Sequence, residues 1–191
     1  MQQIFKSTLR TIIKGDILKD IELKLLSELM KNSRRSDRQL AKVLRISQPT
    51  VSRILKRLEK EGFIRGFTII PDFSKIGFQI MAFTFARLKK PLSPEELQEA
   101  RKNVREILNK EKSPAILGMS GEGLDADRVL VTLHEDYAAY LSFQRFIKEQ
   151  PLIEVGAIHT FLVDLNDKNH FLPPSFTGLA GHIMKEKERL K

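Results

Sequence analysis

Two helix-start signals stand so close together that they leave the chain between them little freedom. Ser36 followed by Gln39 has the spacing of a capping box, in which side chain and backbone satisfy each other across the first turn. Ser47 is a second capping residue, and Pro49 behind it is tolerated because first-turn amides have no intrahelical acceptor. A helix opened at Ser36 runs through Leu44 with Leu40, Ala41 and Leu44 turned inward, so only Arg45 and Ile46 separate it from the next. A short helix, a tight turn and a longer helix make a helix-turn-helix. Upstream, Asp20 is placed to cap a first helix, IELKLLSELMKN, with Ile21, Leu25, Leu26 and Leu29 on one face. In the third helix Val51, Ile54, Leu55 and Leu58 form one apolar stripe, leaving Pro49, Arg53, Lys56, Arg57 and Lys60 to face away.

Charge says what that outward face is for. Residues 1–70 carry 16 Lys and Arg against 7 Asp and Glu, a net +9 that equals the formal charge of the whole chain; the remainder balances at 17 of each. Ten of the basic residues lie between Lys31 and Lys60. Such a cluster suits a polyanion, because neutralising phosphates releases condensed counterions. In helix-turn-helix geometry the N-terminal residues of the third helix reach base edges in the major groove, so Gln48, Pro49, Ser52 and Arg53 are the candidate readers. Gln suits adenine and Arg guanine. Ser47, Thr50, Lys56 and Arg57, with Arg34, Arg35 and Arg38 before the second helix and Arg45 in the turn, are candidates for backbone contacts. The following GFIRGFTII, with Gly66 between short apolar runs, reads as a hairpin wing.

The run from LKLLSELMKNSRRSDRQLAKVLRISQPTVSRILKRLEKEGFIRGF to Gly77 resembles the N-terminal half of the Lrp/AsnC regulators, the feast/famine transcription factors. It carries QLA, then S-x-x-TVSR, then RLEKEGFI-x-G. Arg45 departs from the pattern, standing where the family usually has Gly; a residue with a side chain held at positive φ there costs about 1 kcal/mol. The resemblance covers about residues 20–165. It implies a transcriptional regulator, double-stranded DNA as partner, and a C-terminal domain that senses ligands and forms a homodimer or higher oligomer.

The neutral remainder reads as βαββαβ: a strand in FQIMAFTFARL, a helix SPEELQEARKNVREILNKE capped by Ser93 with Leu97, Val104 and Leu108 on one face, a hairpin of AILGMSG and RVLVTLH, the helix YAAYLSFQRFIKE, and a last strand IEVGAIHTFLVDL. The fold class is therefore α+β, a winged helix-turn-helix followed by a ferredoxin-like domain, in which one sheet face packs on two helices and the other is open. Burying that open apolar face against a second copy predicts a homodimer. The loop from Gly121 to Asp127 is where the resemblance implies an amino-acid effector. Gly121 and Gly123 leave backbone N–H groups accessible, and Asp125 or Asp127 offers a carboxylate to an ammonium group. A plain hairpin loop has the same composition.

The expected organisation is an N-terminal helical extension (1–19), a DNA-binding domain (20–75), a ligand-sensing and dimerisation domain (76–165) and a tail (166–191). Ile4, Phe5, Leu9, Ile12 and Ile13 suit a packing helix, and the tail ends in GLAGHIMKEKERLK, charged enough to stay solvated. With no cysteine and no long apolar run, the chain reads as cytoplasmic, with neither cofactor nor metal expected. No catalytic constellation is visible, which reads as a non-enzyme. His134, His159, His170 and His182 lack close ligand spacing, and His134 beside Glu135 reads as a surface residue. Two other readings stand open: an architectural protein that compacts DNA, and an enzyme like the siroheme decarboxylases, which resemble the family in fold.

Overall fold

A computed structural model describes residues 18–100, 102, 114–150, 153–169 and 175–188. The elements are α1 (Asp20–Lys31), α2 (Asp37–Leu44), α3 (Gln48–Lys60), a 3-10 turn (Ser74–Ile76), β1 (Ile80–Leu88), α4 (helical over 94–100), β2 (Ala115–Gly123), β3 (Ala126–His134), α5 (Tyr137–Lys148), β4 (Ile153–Asp164) and α6 (Thr177–Glu188). The chain divides after Ile70, and α6 belongs with the first unit. The extension expected over 1–19 lies outside the described residues except for Leu18, which is buried, and Lys19.

In the first unit Ser36 caps α2, its hydroxyl accepting from the Gln39 amide at 3.3 Å while the Ser36 amide donates to Gln39 Oε1 at 2.8 Å. Ser47 caps α3 by accepting from the Thr50 amide at 3.3 Å. Arg45, at φ 55 and ψ 45, ends α2 in the left-handed region that the turn requires. Gly62, at φ 76, ends α3 and returns Phe63 and Ile64 to the core. Leu25, Leu40, Val51 and Leu58 are fully buried at its centre.

Three expectations for this unit are corrected. Asp20 is not the cap of α1: Lys19 holds that position, and its amide donates to Glu22 Oε2 at 2.8 Å. The turn at Gly66 does not form, because residues 64–72 pair with no strand among the described residues and a lone two-stranded ribbon has too little to bury. The C-terminal helix is not solvated on every side. Ala180 is fully buried and its carbonyl accepts from the Ser27 hydroxyl at 3.2 Å, while Ile183 and Met184 pack against the core of α1 to α3. That second neighbour explains why α1 buries Glu22, Leu23, Leu25, Ser27 and Leu29 rather than one narrow stripe.

The second unit is an antiparallel sheet in the order β2-β3-β1-β4, the ferredoxin-like arrangement. Ser93 begins α4 as a capping box with Glu96; Val104 and Leu108 lie outside the described residues. Asp136 caps α5 through the Ala139 amide at 2.7 Å. Ala82, Thr84, Thr132 and His134 share the face that α5 covers. His134 is buried there, correcting its surface assignment: Thr132 Oγ1 is 2.8 Å from Nε2, and the rings of Tyr140 and Phe143 lie 5.6 and 5.3 Å away. Burial pushes its pKa below the ordinary 6.5, against a smaller opposing pull from Glu135. Residues sharing the other face include Met81, Phe83, Phe85, Val129, Leu117, Met119 and Phe161, the last three widely exposed.

Candidate nucleic-acid interface

Helix α3 is held by its apolar side. Val51, Ile54 and Leu58 are buried, which leaves Gln48, Pro49, Arg53 and Lys56 in solvent along the opposite side. Arg34, Arg38 and Arg45 are exposed too, and none of Arg34, Arg38, Lys42, Arg45, Arg53 or Lys56 has a carboxylate at ion-pair distance among the described residues. These cations keep their charge unspent within the unit. Such a surface favours phosphates at modest desolvation cost.

The other candidates have partners. Arg57 pairs with Glu22 of α1 and, at 2.9 Å, with Glu61, so it ties α3 to α1; the Glu61 hydrogen bond is the first cause holding its pKa above the ordinary arginine value. Arg35 pairs with Glu28, which Lys31 also meets at 2.6 Å, and the Lys31 hydrogen bond is the largest effect holding the Glu28 carboxyl below the usual range. Ser47 and Thr50 share a hydroxyl contact of 2.8 Å at the helix cap. Ser52, half-buried, donates its hydroxyl to Asp37 of α2. Sequence reasoning missed Glu22, Glu28 and Asp37 because it looked for cations; the Arg57–Glu61 pair, four apart on one helix, was within its reach.

In the second unit the loop expected from Gly121 to Asp127 is a tight turn, with β2 reaching Gly123 and β3 starting at Ala126. Leu124 and Asp125, at φ 52 and 54, both take the left-handed conformation, and Gly123 sits at φ 149. Arg87 of β1 reaches this turn. Its Nε donates to the Asp125 carbonyl at 2.9 Å and its Nη2 to the Asp125 carboxylate. Asp127 accepts from the Leu88 amide at 3.1 Å and lies 3.6 Å from Arg128. Arg87, Gly121, Glu122, Gly123, Asp125 and Asp127 border an open cleft of about 480 Å³. Among the described residues no cluster of His, Asp and Glu is arranged to hold a metal, and no helix is long and apolar enough to cross a membrane.

A capped pair of helices with a cationic second member, followed by a 2-3-1-4 antiparallel sheet, defines a helix-turn-helix protein with a ferredoxin-like second domain. The winged helix-turn-helix DNA-binding family matches residues 18–65. The HTH-type transcriptional regulator Ptr1 of Methanocaldococcus jannaschii is 30% identical over 149 residues, covering 77% of this chain and 92% of Ptr1. PYRAB00690 of Pyrococcus abyssi, an uncharacterized HTH-type transcriptional regulator, is 32% identical over 95 residues, 50% of this chain and 64% of its own length. The crystal structure of PH0061, of Pyrococcus horikoshii, superposes with a TM-score of 0.64 at 26% identity, over 82% of this chain and 98% of that one. Two more distant structures share the fold. An AsnC family transcriptional regulator from Agrobacterium tumefaciens gives a TM-score of 0.63 at 21% identity, over 82% of this chain and 97% of that one. The Neisseria meningitidis transcriptional regulator NMB0573, in complex with L-Met, gives 0.63 at 19%, over 82% and 96%. The chain belongs to the HTH-type transcriptional regulators, and its fold is the one that the AsnC family regulator shares.

Proposed function

We propose that the protein regulates transcription by laying α3 in the major groove of double-stranded DNA. The observation that carries this reading is the division of α3 into a buried apolar side and an exposed side bearing Gln48, Pro49, Arg53 and Lys56, the cations among them unpaired within the described residues. Gln48 and Arg53 are the groove readers, and Arg34, Arg38, Arg45 and Lys56 meet phosphates. Arg35, Ser47 and Arg57 join the phosphate contacts only so far as their partners within the unit leave them free. Selection of genomic fragments by the purified protein tests the reading: a small set of sites sharing one motif supports it, and uniform recovery of all fragments favours the architectural alternative.

Two further features complete the proposal. The sheet face carrying Phe83, Phe85 and Phe161 is apolar and partly exposed, which favours a homodimer that buries it. At the β2–β3 turn the cleft is bordered by the paired Arg87 guanidinium and Asp125 carboxylate, charges that match both ends of a free amino acid able to open the pair. The L-Met bound by NMB0573 supports this ligand class. Gly121, Gly123 and Asp127 then supply the backbone and second carboxylate of the site. An amino acid that raises the melting temperature of the wild type and not of Asp125→Ala supports this site; a panel that shifts neither overturns it.

A further inference from the structure

We propose that Asp37 fixes the direction in which the Ser52 hydroxyl can hydrogen-bond, and so limits this position of the recognition helix to bases that present an amino group in the major groove. The inference rests on α3 lying in the major groove. Ser52 stands four residues after Gln48 and four before Lys56, so the three share one ridge of α3, and both neighbours are exposed. Ser52 itself is half-buried and donates to the Asp37 carboxylate, which α2 places beside it as its first residue after the Ser36 cap.

A serine hydroxyl has one hydrogen to donate and two lone pairs to accept with, while an ionised carboxylate only accepts. The hydrogen between the two oxygens therefore belongs to Ser52 and points at Asp37. What remains for the groove is a pair of acceptor sites. A free serine takes either kind of partner, but an acceptor-only hydroxyl discriminates: adenine N6 and cytosine N4 donate in the major groove, whereas guanine O6, guanine N7 and thymine O4 accept and would face lone pairs. Asp37 thus acts as a positioning residue, shaping specificity through Ser52. In Asp37→Asn the side chain keeps its shape but gains donors, so the hydroxyl hydrogen is released to turn toward DNA.

The test is selection from a randomised duplex library by the full-length wild type, Ser52→Ala and Asp37→Asn, followed by competition among duplexes that differ only at the position in question. Affinities are expressed relative to random DNA, because removing the Asp37 charge strengthens binding to every sequence. The wild type is expected to show one position in each half-site where, on one strand, A or C is preferred over G or T by roughly two- to tenfold, the worth of a single hydrogen bond. Ser52→Ala should lose that preference and keep the rest of the motif. Asp37→Asn should accept all four bases there, and Ser52→Thr, which retains the hydroxyl, should keep the A or C preference. Identical profiles for wild type and Ser52→Ala, a purine-against-pyrimidine or A·T-against-G·C preference at the position Ser52→Ala relaxes, or an unchanged profile in Asp37→Asn would each overturn the inference while leaving groove reading by α3 intact. A wild type that enriches no motif would overturn both.

Discussion

Arg45 is set against itself in a way that measurement can separate. Its φ of 55 is a conformation that side chains resist by roughly 1 kcal/mol, yet the exposed guanidinium stands in the turn between α2 and α3. Arg45→Gly is therefore expected to raise stability by up to about 1 kcal/mol, the gain trimmed by the freer unfolded chain. The same change should weaken binding to all DNA sequences alike and lower the salt slope by about one charge. Urea unfolding and binding at several salt concentrations check the two signs. His134 sets a pH dependence. Its folded pKa lies below the unfolded 6.5 because burial disfavours the imidazolium, so the unfolded chain takes up the proton first and stability rises with pH. Its contribution is full above about 6.5 and is lost as pH falls from there toward the folded value. NMR titration of the His134 ring should give a midpoint below the ordinary value; a midpoint above it would contradict the buried, neutral ring. Arg45 was legible because it stands where the family that the chain resembles usually has Gly. The burial of His134 was not, since strand alternation leaves open which face a helix will cover.

At the scale of elements, caps carried the most information. Ser36, Ser47 and Ser93 each begin a helix, and the alternating runs of β1 and β3 pair as a hydrophobic pattern implies. Failures came where an element depends on a distant partner. Nothing local in GFIRGFTII says that its second half will pair with no strand among the described residues. In α6 the charge of KEKER hid a usable signal: Ala180, Ile183 and Met184 stand at helical spacing and are the residues that meet the core. Because Ala180 is fully buried with its carbonyl held by Ser27, Ala180→Leu should overpack the contact between α6 and α1 at a cost of about 1–3 kcal/mol. Denaturant unfolding measures it. An unchanged midpoint would mean that α6 contributes nothing to the first unit.

The whole molecule combines a charged reading surface with an apolar sheet face, and each suggests a partner: DNA for one, a second copy for the other. The sum of charges pointed to the first and fold economy to the second, while the ion pairs that withdraw Arg35 and Arg57 from the surface needed coordinates to see. Phe161, opposite Phe83 and 67% exposed, is the simplest handle on assembly. Sedimentation equilibrium should find the wild type dimeric or larger and Phe161→Lys shifted toward monomer; a monomeric wild type would contradict the proposed dimer. The central claim is that α3 reads base edges, and Arg53→Ala tests it most directly in competition binding on a selected site and on random DNA. The account predicts a loss of about 1–3 kcal/mol on the selected site and a much smaller one on random DNA. Equal losses on both would show that Arg53 meets only the phosphate backbone and contradict the account.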